Sequence, residues 1–233
     1  MADPTVSSGE FSEVRAKNTF LARVYGWMTL ALVISAASAA FTAGNPALLK
    51  LIFGSRFGFL ILAAAEIALV WWLSASIRKI STAGASAAFV IYSVLNGMTL
   101  SSIFFVYAGA SIFKIFAISA AMFAAMAAYG TATKSNIRSA GRYLSMALIG
   151  LIIASLVNLL LRSPALDWIL SIVTVVLFTG LTAYDANKML AVSEHASDND
   201  VFKKASIIGA LELYLDFINI FLAMLRLFGR ARD

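Results

Sequence analysis

The chain has 233 residues, of which 61% are hydrophobic and only 13% are charged, and its mean hydropathy is +0.88. Soluble domains contain about 45–50% apolar and about 25% charged residues, so this composition excludes a soluble protein. The net charge of +6 comes from basic residues that are scattered over loops. This distribution indicates topology signals and contacts with lipid headgroups instead of nucleic-acid binding. The absence of cysteine excludes disulfides and thiolate metal sites, and a single histidine, His195 in a hydrophilic loop, argues against a histidine-based catalytic site.

Seven apolar segments are each long enough to cross a bilayer as a helix of about 20 residues. The predicted spans are Val24–Ala43, Phe57–Ile77, Ala83–Tyr107, Ile112–Thr131, Tyr143–Leu161, Leu166–Met189 and Ala205–Phe228. A polar tail over residues 1–19 precedes a single transmembrane domain over residues 20–233. Residues 37–39 resemble a signal-peptidase site, but the acidic leader and the many later spans favour a retained first helix. The sequence therefore predicts an all-α polytopic membrane protein.

The distribution of lysine and arginine predicts a cytoplasmic N-terminus. With that orientation, eleven basic residues fall in cytoplasmic segments: Arg15, Lys17, Arg23, Arg78, Lys79, Lys134, Arg138, Arg142, Lys188, Lys203 and Lys204. Four fall outside: Lys50, Arg56, Lys114 and Arg162. Arg226, Arg230 and Arg232 oppose the bias if the last segment crosses fully, and a re-entrant last segment is the alternative. Seven full spans are preferred because the last apolar stretch is long enough.

The seventh predicted span carries two carboxylates. A charged side chain at mid-membrane costs about 2.5–3.5 kcal/mol on insertion scales, so these acids must be paired, protonated or in contact with water. Gly209, Glu212, Asp216 and Asn219 recur at i, i+3, i+7 and i+10, which places them on one helical face. The remaining faces are Leu, Ile, Phe and Ala. The last helix is therefore expected inside the bundle, with its polar face toward other helices or a cavity.

A further acid, Asp185, lies near the end of the sixth span, and a short charged loop allows it to approach Asp216. Arg78 ends the second span on the same predicted side. Two carboxylates that share a site cannot both ionise cheaply, and an arginine nearby can bind the ionised form. The pattern predicts a proton-responsive gate, with transient calcium binding at Asp185 and Asp216 because calcium prefers oxygen ligands. A structural salt bridge between three helices is the alternative.

Other polar residues inside the spans are assigned from their positions. Glu66 is expected to line the cavity or to accept a hydrogen bond from a serine or threonine, and Glu212 to contact the same cation as Asp216 or water. With Asn219, they are the candidate pore residues. Asn96 and Asn158 are predicted to form hydrogen bonds between helices, and the Ala-, Gly- and Ser-rich third and fourth spans to pack closely.

Two acidic segments, TGLTAYDANK and GALELYLDFINIFL, resemble the signature pair of the Bax inhibitor-1 family, the transmembrane Bax-inhibitor-motif proteins. SVLNGMTLSSIF and AAYGTAT resemble that family as well, and the likeness covers about Asn18 to Phe228. It implies a bacterial member with seven transmembrane helices, the last one central. It also implies a pH-sensitive calcium leak in which Asp185 and Asp216 form the pH sensor, Arg78 is the matching arginine and Glu66 is the pore acid of the second span.

The function expected from these observations is a calcium-permeable leak channel in the inner (plasma) membrane, gated by protons. Calcium is then the permeant ion, and no resident cofactor or enzymatic activity is expected. The alternative is a regulatory protein that binds other membrane proteins, since some bacterial members of the resembled family modulate a membrane-bound protease. A proton-coupled transporter would be supported by inverted repeats, which the sequence does not clearly contain.

Overall fold

The computed structural model describes residues 4–133, 137–197 and 199–232, and these residues are almost entirely helical. Residues 1–3 of the predicted tail and Lys134 of the topology count lie outside the described part. The elements in chain order are α1 (Pro4–Ala43), α2 (Pro46–Phe53), α3 (Arg56–Ser76), α4 (Thr82–Leu100), α5 (Ile103–Val106), α6 (Gly109–Ala132), a 3₁₀ turn (Ile137–Ala140), α7 (Gly141–Leu161), α8 (Pro164–Ser193) and α9 (Asp200–Phe228).

Seven segments of the described chain are long and apolar enough to cross a membrane, so the prediction of an all-α protein with seven transmembrane helices is confirmed. They are Arg15–Ala43, Phe57–Ser76, Thr82–Val106, Gly109–Ala132, Gly141–Leu161, Pro164–Ser193 and Asp200–Phe228. In α9, 72% of the most apolar stretch is buried, against at most 44% in any other span. This burial agrees with the prediction that the last helix is the central one.

Several boundaries differ from the predicted ones, and polar side chains explain two of the differences. The helix α2 follows a break whose Asn45 side chain accepts hydrogen bonds from the backbone N–H groups of Ala47 and Leu48, and such a cap starts a new helix. The third span is interrupted at Ser101 and Ser102, whose hydroxyls donate to carbonyls of the last turn of α4. In addition, α1 begins well before its apolar residues, so the predicted tail is helical from Pro4 onward.

The chain forms two compact units. The first comprises Met1–Val106 and Val192–Tyr214. In this unit, α1 and α4 approach each other closely. A Cβ atom at Gly97 of α4 would lie 2.4 Å from the carbonyl oxygen of Ser35 on α1. The Ser38 hydroxyl of α1 donates to the carbonyl oxygen of Val94 at 2.8 Å. The expectation that small residues let these helices pack closely is confirmed here.

The second unit comprises Tyr107–Ala191 and Leu215–Asp233. Its C-terminal residues bind the start of α6, where Arg230 accepts a backbone hydrogen bond from Ala108 at 3.0 Å and donates one to the Ser111 hydroxyl at 2.9 Å. The end of α9 therefore lies beside the start of α6, so these two helices run antiparallel. This arrangement favours a full crossing by α9 over the re-entrant alternative. Burial raises the pKa of the adjacent Tyr107 hydroxyl above its ordinary value.

Candidate functional site

The two aspartates of the predicted gate are both buried in the second unit. Asp185 of α8 is 8% exposed and Asp216 of α9 is 4% exposed. Both residues have an interaction partner. Burial of a carboxylate is costly unless it is paired, hydrogen-bonded or protonated. Because both acids are buried, a change in their protonation changes the stability of the folded protein. The pairing of Asp185 with Asp216 stays a prediction.

The segment around Asp185 is fixed by close contacts with α6 and α7. Asn187 donates a hydrogen bond to the backbone carbonyl oxygen of Gly130 at 2.9 Å, and a Cβ atom at Gly130 would lie 2.1 Å from the carbonyl oxygen of Ala183. The ring of Tyr184 lies against Gly141 of α7, where a Cβ atom would meet it at 2.6 Å. These contacts set the rotation of α8. The segment that carries the acid is thus also the segment on which its neighbours pack.

The segment around Asp216 is fixed by aromatic packing between α6 and α9. The ring of Phe217 lies 5.2 Å from that of Phe116 and 5.8 Å from that of Phe123, both in edge-to-face geometry. Phe221, one turn further along α9, stacks on Phe217 with ring centroids 6.5 Å apart. Such pairs are directional as well as apolar, so they hold α9 at one rotation. Asp216 consequently has a defined direction within its unit.

Arg78 belongs to the first unit and lies in the turn after α3, with an exposed side chain. Sequence reasoning missed the partner of this turn. The Lys204 ammonium, near the start of α9, donates to the carbonyl oxygen of Ile80 at 3.2 Å. The turn is therefore anchored to α9 through its backbone, which leaves the Arg78 guanidinium on the surface. The predicted clamp between Arg78 and the two aspartates stays a prediction.

Glu66 of α3 is half-buried in the first unit and accepts hydrogen bonds on both carboxylate oxygens. The Asn96 amide nitrogen of α4 lies 3.0 Å from Oε2, and the Thr99 hydroxyl donates to Oε1. The sequence suggested a serine or threonine as partner, which is confirmed for Thr99. Asn96 and Asn158 were predicted to join helices, and both do, since Asn158 of α7 donates to Asp167 of α8 at 3.3 Å.

The remaining candidates have mixed surroundings. Glu212 is half-buried in the first unit and has a partner. The Asn219 amide donates to the carbonyl oxygen of Leu215 on its own helix at 2.8 Å, so its nitrogen is occupied within α9. His195 is exposed in the turn after α8. Among the described residues no group of three or more His, Cys, Asp or Glu side chains could hold a metal ion.

The seven apolar helices and the buried acids of α8 and α9 define a polytopic α-helical membrane protein. A family model described as "Inhibitor of apoptosis-promoting Bax1" matches residues 17–233. The inner membrane protein YbhL of Escherichia coli K12 is 47% identical over 216 residues, which are 92% of each chain. An uncharacterised protein of Borreliella burgdorferi is 42% identical, over 96% of this chain and 97% of its own. The chain therefore belongs to the Bax inhibitor-1 family.

Proposed function

We propose that the protein is a pH-sensitive, calcium-permeable leak channel of the inner membrane, gated by Asp185 and Asp216. The observation that carries the proposal is the burial of both carboxylates in one compact unit. Two acids that share a buried site titrate as a pair, because each charge raises the cost of the other. Their protonation then alters the energy of the helix contacts that α8 and α9 make. The channel is passive and needs no resident cofactor or catalytic residue.

The surroundings of the aspartates support a mechanical link between protonation and helix packing. Asp185 lies between residues that contact α6 and α7, and Asp216 precedes Phe217 of the aromatic cluster. A change in the charge of the pair acts directly on these contacts. Arg78 is the proposed third member, which binds the ionised form of the pair and so stabilises the closed state. Glu66, Glu212 and Asn219 are proposed to contact the permeant ion or water.

Calcium flux in liposomes tests this function. Purified protein is reconstituted in vesicles that enclose a calcium-sensitive dye, and flux is recorded at several pH values with empty vesicles as the control. We expect flux above the control and a clear change in its rate with pH. Folded, monodisperse protein that gives no flux at any pH contradicts the channel. That result favours the regulatory alternative, in which the protein binds and modulates other membrane proteins such as a membrane-bound protease.

A second measurement tests the topology that the proposal requires. The N-terminus is proposed to be cytoplasmic, and seven crossings then place Asp233 outside. A reporter fused after Asp233 should give an extracytoplasmic signal, because the end of α9 lies beside the start of α6. A reporter inserted in the 194–199 loop should give the cytoplasmic signal and serves as the control. Two cytoplasmic signals would show that the last segment re-enters.

A further inference from the structure

A chain of hydrogen bonds in the first unit links four helices. It contains one more oxygen–oxygen contact than it has hydroxyl protons. Asn96 donates to Glu66, and the Tyr214 hydroxyl lies 2.8 Å from the Asn96 amide oxygen. The Ser35 hydroxyl oxygen lies 2.7 Å from the Tyr214 hydroxyl oxygen and 2.8 Å from the carbonyl oxygen of Ser93. These three oxygen–oxygen contacts have hydrogen-bond length, yet only two hydroxyl protons, those of Tyr214 and Ser35, are available for them.

With an ionised Glu66, one of the three contacts must lack a proton. The carboxylate requires the NH₂ end of Asn96, so the amide oxygen faces Tyr214 and accepts a hydrogen bond from its hydroxyl group. Ser35 then donates either to Tyr214 or to the Ser93 carbonyl. In either case two oxygen lone pairs face each other across the remaining contact, which is buried, because Ser35 is 1% exposed and Tyr214 is fully buried. A buried polar contact without a proton loses the stabilisation of a hydrogen bond.

One proton on Glu66 resolves the shortage. The protonated Oε2 donates to the amide oxygen of Asn96 once that amide turns over, which its nearly symmetric shape permits. The Asn96 NH₂ end then donates to Tyr214, Tyr214 donates to Ser35, and Ser35 donates to the Ser93 carbonyl. All the contacts are satisfied, and the bonds run in one direction from α3 to α1. The proton comes from the aqueous phase and stays on the Glu66 carboxyl.

We propose that Glu66 is a proton-binding site whose occupancy sets the direction of the hydrogen-bond chain through Asn96, Tyr214 and Ser35. When the proton is bound, the chain holds α1, α3, α4 and the first-unit part of α9 together. When it is lost, the contact at Ser35 weakens. This inference concerns the first unit and does not depend on the proposed aspartate gate or on calcium permeation.

Within the described part of the chain, two tyrosines are titratable groups that lie near Glu66. Tyr92 of α4 and Tyr214 of α9 are buried and lie close enough for the carboxylate charge to act on both. Glu212 lies two residues from Tyr214 and therefore on another face of α9. The helix α2 meets α3 at Gly58, about two turns before Glu66, and the side chain of its charged residue, Lys50, is exposed. The residue of α1 that takes part in the hydrogen-bond chain is Ser35, through its hydroxyl group.

The test compares the pH dependence of thermal unfolding in purified full-length protein between about pH 5 and about pH 9, a range that covers buried glutamates. The hydrogen-bond chain is complete when Glu66 is neutral. The stabilisation that this chain gives to the folded protein is therefore present at low pH and lost as the pH rises. We expect the wild type to lose about 2–4 °C more in Tm over this range than Glu66→Gln, since one net hydrogen bond shifts Tm by that amount in a chain of this size. The glutamine amide reproduces the protonated pattern at every pH.

Two further variants interrupt the chain without touching the acid. Tyr214→Phe and Ser35→Ala each remove one hydroxyl and with it the proton shortage, so both should abolish the extra loss of Tm. If one variant fails to fold, the other carries the comparison. Asp167→Asn, which removes an acid from the second unit, is the control and should keep the extra loss. A wild-type pH profile in folded Glu66→Gln, or in a folded hydroxyl variant, overturns the proposal.

An infrared measurement provides a readout that a purely structural role would not change. At low pH the carboxylic-acid carbonyl absorption of the wild type should contain a component that shifts in heavy water and is missing in Glu66→Gln, whose other acids absorb as in the wild type. In Ser35→Ala that component should disappear at a lower pH than in the wild type, because the complete chain no longer favours the bound proton. Identical spectra for wild type and Glu66→Gln at all pH values would show that Glu66 binds no proton, and would refute the inference.

Discussion

The two compact units each hold acids inside the membrane-spanning helices, but they surround them differently. In the first unit Glu66 accepts hydrogen bonds from two neutral residues of α4, Asn96 and Thr99. In the second unit two acids, Asp185 and Asp216, are both buried. In the two proposals, Glu66 responds to the number of protons in its hydrogen-bond chain, whereas Asp185 and Asp216 respond to each other's charge. Carboxyl groups can thus supply two different forms of pH sensitivity within one chain.

The units also share a feature, because each has a glycine where two helices approach closely. A Cβ atom at Gly130 would lie 2.1 Å from the Ala183 carbonyl oxygen, and one at Gly97 would lie 2.4 Å from the Ser35 carbonyl oxygen. We expect Gly130→Ala and Gly97→Ala each to destabilise the protein by about 1–3 kcal/mol, the usual cost of overpacking. Thermal unfolding and the yield of monodisperse protein measure the effect.

Gly150 of α7 is the matched control for the glycine variants, since a Cβ atom there meets nothing within 4 Å. Gly150→Ala should leave stability unchanged or raise it slightly, by up to about 1 kcal/mol, because alanine favours helix more than glycine does. Equal stability of all three alanine variants would contradict the close approach of α1 to α4 and of α6 to α8.

A smaller effect is expected at Arg78, which belongs to one unit while the aspartates belong to the other. Its side chain is exposed, so Arg78→Ala should lower the free energy of unfolding by no more than about 1 kcal/mol, the upper end for an exposed ion pair. If Arg78 stabilises the closed state through one ion pair of about 1 kcal/mol, its loss should raise basal calcium flux about five-fold. Flux at one fixed pH measures this change.

Lys79→Ala is the control for Arg78→Ala, because it removes the same charge from the neighbouring exposed position. It should leave basal flux close to that of the wild type. An equal increase in both variants would assign the effect to surface charge in general, and no increase in Arg78→Ala would remove the arginine from the proposed gate.

Much of the fold could be predicted from hydropathy, which reports whether a segment suits a bilayer. All seven spans were found in this way, and the high burial of α9 was expected from its two acids on one face. Hydropathy does not identify α2, because its eight residues are too few to cross a bilayer and its start depends on the Asn45 cap. It also missed the binding of the C-terminal residues to the start of α6, which uses backbone groups.

The candidate site was predicted in part, because the sequence shows which polar residues lie inside spans but not how the helices are rotated. Asn96 was correctly expected to join helices, yet its partners Glu66 and Tyr214 depend on the rotation of α3 and α9. The role of Tyr214 could not be inferred, since a tyrosine in a span also suits the membrane interface. Lys204 was counted only as a topology signal, although it anchors the turn after α3.

The central claim is that Asp185 and Asp216 form the pH sensor of a calcium leak, and the pH profile of flux in liposomes tests it most directly. Asparagine keeps the size of aspartate and most of its hydrogen bonding but has no charge to titrate. Asp185→Asn and Asp216→Asn should therefore flatten the pH dependence of calcium flux, while Asp167→Asn, which changes an acid on the same helix as Asp185, should keep it. A wild-type pH profile in both folded aspartate variants would contradict the account and leave the two acids a structural role.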